Sequence, residues 1–96
     1  MRHTSATAHE LARIAELAGV PGETLARLGE RMTRVEVAPG SSVGGDETFS
    51  VVIHGMLRGP SGMLRPGDSF DGVATAVTPA TIASCPRSEY DALTGR

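Results

Sequence analysis

The sequence predicts an α+β chain that is mostly β: a small antiparallel β-roll or jelly-roll barrel, with two N-terminal helices and a short C-terminal helix. Apolar residues recur at helical spacing before Met32 and alternate with polar residues after it. Residues 49–53 form a β-branched and aromatic run that is too short for a typical helix and is closed by Gly55. Pro66-Gly67 predicts a type II turn, in which Gly67 has a positive φ.

Two short helices are predicted at the start of the chain. A disordered tail over residues 1–6 precedes the first helix, which begins at Thr7, has a capping-box glutamate at Glu10 and ends at Gly19. The second helix begins at Pro21, because proline suits the first helical position. The apolar stripes of the two helices comprise Leu11, Ile14, Ala15 and Ala18, then Leu25, Leu28 and Met32.

Short strands and turns account for the rest of the chain. Strands are predicted at residues 33–38, 41–43, 49–53 and 80–85, with a further short strand after the tight 58–62 connection. Residues 44–47 are predicted to be a loop, and Pro86 is predicted to open the last helix, residues 87–93.

One hydrophobic core is expected inside the roll, because alternating strands bury one face. Its predicted strand members are Val35, Val37, Val51, Ile53, Leu57, Leu64, Phe70 and Ile82. The predicted helix members, packed at its side, are Leu11, Ile14, Leu25 and Leu28.

Composition and charge argue against several classes of protein. Residues 1–96 suit a single domain, with 40% hydrophobic residues but only two Phe and one Tyr. The net charge is −2 and the Arg residues are scattered, which argues against a nucleic-acid or membrane partner. A single cysteine, Cys85, forms no internal disulfide and suits the cytoplasm. The sequence has no apolar run long enough for a membrane span and no signal-peptide pattern at its start.

Four motifs follow one another in a fixed order along the chain. They are a strand ending in Pro39-Gly40, an apolar strand ending at Gly55, Leu-x-Pro-Gly-Asp-x-Phe at residues 64–70, and an Ala-Thr-aliphatic strand at residues 80–82. This order resembles that of the cyclic-nucleotide-binding domain, the β-roll of catabolite-activator-like regulators, kinase regulatory subunits and gated channels. The resemblance covers residues 11–93. The resemblance implies a β-roll with a phosphate-binding cassette after Phe70.

The cassette departs from the family pattern. In the family, Gly-Glu follows the Phe and an Arg precedes the Ala-Thr strand; the Glu holds the ribose and the Arg the cyclic phosphate. Here Asp71-Gly72 follows Phe70, and residues 73–79 contain no Arg, Lys or His. The stretch from Phe70 to Ala80 is also shorter than the usual cassette. These departures predict that cyclic AMP and cyclic GMP bind weakly or not at all.

Several residues have both a functional and a structural interpretation. If a ligand pocket persists, its candidates are Phe70, Asp71, Gly72, Thr75 and Thr81, although Asp71 before Gly72 is also typical of a turn. His54 is a candidate metal ligand, but only His3 and His9 accompany it, so we predict no metal site. Cys85 is more typical of a small core residue than of a nucleophile.

The sequence therefore predicts a non-catalytic regulatory or protein-interaction module without a cofactor. Its expected partner is another protein, and the oligomeric state stays open, a homo-oligomer included. The alternative is a small-ligand sensor with a reshaped pocket, for which a cyclic nucleotide is one candidate ligand. A third hypothesis is a cupin-like enzyme, but one core histidine gives little support to catalysis.

Overall fold

A six-stranded antiparallel sheet carries most of the chain in the computed structural model, which describes residues 8–95. The strands, in chain order, are β1 Thr33–Val37, β2 Ser42–His54, β3 Leu57–Gly59, β4 Gly62–Leu64, β5 Ser69–Ala76 and β6 Ala80–Pro86. Their order across the sheet is β1-β6-β2-β5-β3-β4. The helices are α1 Ala8–Leu11, α2 Gly22–Arg31 and α3 Arg87–Thr94, with a 3-10 turn at Ala15–Leu17. The predicted fold class is confirmed.

The predicted first helix is wrong in its extent. It breaks after Leu11, and Ile14 is extended, with φ −85° and ψ 124°. The backbone N–H of Ala15 donates to the carbonyl of Gly67 at 2.9 Å, so a bond to the Pro-Gly turn replaces the helical one. Ala15 and Ala18 are consequently exposed, and Leu17 is buried instead. The predicted cap at Thr7 and the predicted tail lie outside the described residues.

The predicted loop at residues 44–47 is also wrong, because β2 runs through it. The register of β2 against β5 shifts between Gly45 and Phe49, which marks a bulge, and Glu47 there has a φ of 57°. Gly44 allows the two backbones to come close: a Cβ on it would lie 2.2 Å from the carbonyl oxygen of Gly72. Gly44 therefore allows the two strands to pair closely, and it does not form a turn.

The buried residues form two clusters and not the predicted single core. The roll interior comprises Val37, Val52, Leu57, Phe70, Ala74, Ala76, Ala80 and Ile82, with Val35, Val43 and Leu64 partly buried against them. The helix-side cluster comprises Leu11, Ile14, Leu17, Leu25, Leu28, Met32, Phe49, Val51, Ala83, Cys85 and Tyr90, with Val20, Ile53 and Leu93 partly buried. Val51 and Ile53 thus lie on the helix side and were wrongly placed in the roll. Helices cover the outer face of β2 at Phe49 and Val51, so both faces of the strand are buried over residues 49–52.

The turn predicted at Pro66-Gly67 is confirmed. Gly67 has a φ of 101°, and the N–H of Asp68 donates to the carbonyl of Arg65 at 2.9 Å. Val52 then fixes the turn to β2, since its carbonyl accepts from Gly67 and its N–H donates to Asp68. The predicted start of the last helix at Pro86 is confirmed as well.

Candidate functional site

The connection between β5 and β6 lies where the family resemblance places the phosphate-binding cassette. It consists of Val77, Thr78 and Pro79, and it contains no helix. The N–H groups of Val77 and Thr78 both donate to the carbonyl of Met56, at 2.9 and 3.3 Å. The N–H of Met56 in turn donates to the hydroxyl of Thr78 at 3.0 Å. These bonds hold the connection against the β2–β3 turn and occupy its two donors.

Close backbone packing completes this closure. Gly55 has a φ of 83°, and a Cβ on it would lie 2.3 Å from the carbonyl oxygen of Pro79 and 2.7 Å from the Cα of Ala80. The glycine that ends the apolar strand motif is therefore required at the contact between the two connections.

Small side chains fill the roll beneath this closure. Ala74, Ala76 and Ala80 are 5% exposed or less and pack with Val52 and Ile82. On the same inner face, Ser50 is fully buried and its hydroxyl lies 2.8 Å from the hydroxyl of Ser84. Within the described residues, the interior thus presents an apolar surface with one satisfied hydroxyl pair.

Asp71 lies on the outer face of the sheet, next to the last helix. Its carboxylate accepts a hydrogen bond from the guanidinium of Arg87, which also donates to Asp91 at 3.3 Å. The hydrogen bond to Asp71 raises the pKa of Arg87, which stays fully charged. The guanidinium also lies 5.9 Å from the Phe49 ring centroid and 5.3 Å from that of Tyr90. Asp71 therefore joins β5 to α3 and lies in a strand, against the alternative interpretation of a turn residue.

The five predicted ligand residues do not surround one pocket. Phe70 and Asp71 border a groove of about 480 Å³ beside the 59–64 hairpin. Gly72 belongs to β5 opposite Gly45, and the Thr75 hydroxyl lies 3.0 Å from that of Ser42. Thr81 borders a different groove of about 470 Å³, with Glu36 and His54. The alternation of β5 separates these groups, because Phe70 faces inward and Asp71 and Thr75 face outward.

A third groove contains two arginines, Arg13 and Arg34, that the sequence analysis did not single out. It has a volume of about 470 Å³ and lies between the N-terminal helices and the sheet, with Arg13, Arg34 and His54 at its walls. Arg34 donates to Glu10 at 2.7 Å across the groove. The alternation that identifies β1 places Arg34 on its polar face, but no local signal pairs it with Glu10.

An exposed strip on the outer face of the sheet was also missed. Among the described residues the exposed large apolar side chains are Met63, Val73 and Val77, which are 40%, 52% and 45% exposed. Thr75, between the two valines, is paired with Arg58, and Arg58 is paired with Met63. We call these five residues the outer strip. In a strand, outward side chains can be recognised only once the inward ones are known.

Cys85 is buried in the helix-side cluster at 4% exposure. Burial is the main cause that raises the pKa of its thiol from 9.0 to about 11, and the charge of Glu89 adds to the rise. The thiol is therefore protonated at neutral pH, as expected of a core residue and not of a nucleophile.

Two further properties concern residues 8–95 only. No three His, Cys, Asp or Glu residues in this range lie close enough together to hold a metal ion. No helix in the same range combines the length and apolar character that crossing a bilayer requires.

Comparison with known proteins shows which solved structures share this fold. No family model and no curated protein matches the sequence. The regulatory subunit of a cAMP-independent protein kinase A from Trypanosoma cruzi, bound to guanosine, superposes with a TM-score of 0.73 at 18% identity, over 91% of this chain and 40% of that one. A cyclic-nucleotide-binding-like protein from Brucella abortus superposes with a TM-score of 0.65 at 14% identity, over 93% of this chain and 97% of that one.

The N-terminal domain of a transcriptional regulator from Streptomyces coelicolor gives a TM-score of 0.66 at 18% identity, over 88% of this chain and 78% of that one. The chain spans about two fifths of the length of the kinase regulatory chains that it matches. At these identities the likeness shows the fold, and the chain has a cyclic-nucleotide-binding-like β-roll, as the sequence resemblance implied.

Proposed function

We propose that this chain is a non-catalytic regulatory or protein-interaction module that does not hold a cyclic nucleotide in the usual way. The observation that carries the proposal is the β5–β6 connection, which is three residues long and has no cation. Its two N–H groups already donate to Met56. A cyclic phosphate buried at this place would find neither a positive side chain nor a free amide.

The energetic argument follows from the charge of the ligand. A cyclic phosphate keeps a full negative charge, and its burial requires a charge-assisted partner. Loss of such a partner at a buried site costs about 2–5 kcal/mol, or roughly 30- to 4,000-fold in affinity. Asp71, the residue nearest to the ribose-binding position by resemblance, is turned away from the interior and bound to Arg87. Both halves of the usual recognition are therefore weakened.

Titration calorimetry with cyclic AMP and cyclic GMP tests this proposal. We expect dissociation constants in the high micromolar range or weaker, since the loss of about 2–5 kcal/mol applies to both ligands. A dissociation constant below about a micromolar would overturn the proposal. Arg65→Ala and Arg87→Ala would then identify the residue that had taken over the phosphate.

The outer strip supports the interaction part of the proposal. It combines three exposed apolar side chains with Arg58, which makes no ion pair within the described segment. Such a surface fits a protein partner that offers apolar side chains around a carboxylate. The trypanosomal neighbour is a kinase regulatory subunit, which agrees with a role in which the roll binds another protein.

A capture experiment with matched variants tests the strip. Val73→Asp places one charge in the strip, and Ala92→Asp places the same charge on the exposed face of α3. A partner captured by the wild type and identified should bind the purified wild type and Ala92→Asp but lose at least tenfold in affinity for Val73→Asp. Equal affinity for the three proteins would contradict the assignment of the strip.

The groove beside Phe70 and Asp71 favours a second candidate function, a small-ligand sensor with a reshaped pocket. Its volume of about 480 Å³ suits a ligand of nucleoside size. A nucleoside has no phosphate and so avoids the missing cation, and guanosine is the bound ligand named for one structural neighbour. A thermal shift series with guanosine, adenosine and cyclic AMP tests this candidate. A ligand at 100 times its dissociation constant should stabilise the protein by about 2.7 kcal/mol.

A further inference from the structure

The β1 strand leaves one edge of the sheet unpaired. It lies at the end of the strand order, hydrogen-bonded to β6 on one side, and no strand of the described residues pairs with its other side. Every second residue of Thr33–Val37 therefore presents its backbone N–H and C=O along that edge. Such an edge accepts another extended strand by β-addition.

Two opposite charges stand on the same face of this strand. Because side chains alternate, Val35 and Val37 face the roll interior while Arg34 and Glu36 face the other way. Glu36 is exposed and makes no ion pair with a residue of the 8–95 range. Arg34 binds Glu10 through one nitrogen, but its side chain keeps 27% exposure. Its guanidinium has further N–H groups to offer.

Symmetry restricts how two copies of β1 can pair. Directly opposite residues of an antiparallel pair lie on the same face of the sheet, so an isologous pairing must centre on one residue. Centred on Arg34 or on Glu36, the pairing brings two like charges together at the axis. Centred on Val35, it places Arg34 opposite Glu36 of the second copy twice and uses all five residues. This register is the self-complementary one.

We propose that two copies of this chain associate through β1, antiparallel, about a two-fold axis at Val35. The sheet then continues from one copy into the other, with two Arg34–Glu36 ion pairs across the junction. This inference is independent of the proposed function, because β1 lies at the opposite end of the strand order from β4 and its Met63. A monomeric protein could still bind a partner through the outer strip.

Sedimentation equilibrium on charge variants tests the pairing. The wild type should form a reversible dimer that weakens at high ionic strength. Glu36→Arg and Arg34→Glu each place like charges at both contacts, so each variant alone should self-associate about tenfold or more weakly. An equimolar mixture of the two variants restores both opposite-charge contacts and should form a heterodimer. A monomeric wild type at every accessible concentration, or a mixture no tighter than its components, would overturn the proposal.

Cysteine cross-linking tests the register without the loss of the Arg34–Glu10 contact. Opposite Cα atoms are about 4.5–5.5 Å apart in an antiparallel pair, so Val35→Cys should form an intermolecular disulfide under oxidation. In Glu36→Cys the two Cα atoms would be about 8 Å apart, beyond the reach of a disulfide. The wild type, whose Cys85 is buried, reports the background. Equal cross-linking of the two variants, or none above background, would contradict the axis at Val35.

Discussion

Arg87, the first residue of α3, binds Asp71 of β5, so the last helix is joined to the strand that follows the Pro-Gly turn. The same guanidinium lies over Phe49 and Tyr90, whose rings are stacked with centroids 3.8 Å apart. An exposed ion pair, a cation–π contact and a buried aromatic pair thus meet where α3 packs against the sheet. The position of α3 depends on these contacts together with the burial of Tyr90.

We expect Arg87→Ala to lower the free energy of unfolding by about 1 kcal/mol, since it removes the ion pairs to Asp71 and Asp91 together with the cation–π contact. Asp71→Asn removes the charge of one partner and leaves the guanidinium over the rings. It should therefore lower the free energy of unfolding by about half as much as Arg87→Ala, or less. Thermal unfolding of both variants measures the difference. Equal losses would mean that the ion pair carries the whole effect.

Gly55→Ala should destabilise the protein much more than Gly40→Ala. Both glycines have a φ near 85°, but a Cβ on Gly40 meets nothing within 4 Å and one on Gly55 lies 2.3 Å from the Pro79 carbonyl oxygen. Backbone strain of about 1–3 kcal/mol is common to both variants. Any excess loss in Gly55→Ala therefore measures the close packing of the two connections. Urea unfolding is the measurement, and equal midpoints would contradict the contact.

Val51→Asn and Val52→Asn should both destabilise by about 2 kcal/mol or more, because both valines are fully buried on opposite faces of β2. Val73→Asn, at 52% exposure on β5, is the control and should stay within about 0.5 kcal/mol of the wild type. Chemical denaturation distinguishes a strand that is buried on both faces at this point from a strand with one solvent-exposed face. In that arrangement one of the two neighbouring valines would tolerate asparagine.

Stability should fall in alkaline solution through Cys85. The pKa of the folded-state thiol is raised from 9.0 to about 11, so the unfolded state loses its proton first as the pH rises. The contribution of the Cys85 thiol to the free energy of unfolding is therefore unchanged below pH 9.0 and is lost progressively up to about pH 11. The free energy of unfolding falls in this range by at most about 1.4 kcal/mol per pH unit. Cys85→Ala should show a shallower decline over this range. Parallel pH profiles for the two proteins would refute the assignment.

Several features were predictable from the sequence because they depend on local chemistry. The type II turn at Gly67 follows from the fixed φ of proline and the freedom of glycine. The strand character of residues 49–53 and the helix start at Pro86 follow from β-branching and from proline geometry, and the structure confirms both. The change from helical to alternating period at Met32 determined the order of helices and strands in the same way.

Long-range contacts decided the rest. The first helix breaks because Ala15 donates to Gly67, more than fifty positions away in the sequence, and Gly44 extends a strand because it faces the Gly72 carbonyl. Alternation alone separates Val51 from Val52, but it does not tell which face the helices cover and which faces the roll. The orientation of Asp71 toward Arg87 likewise depends on where α3 packs. Hydrogen-bond partners and packed faces belong to the assembled sheet, so only the tertiary structure could assign them.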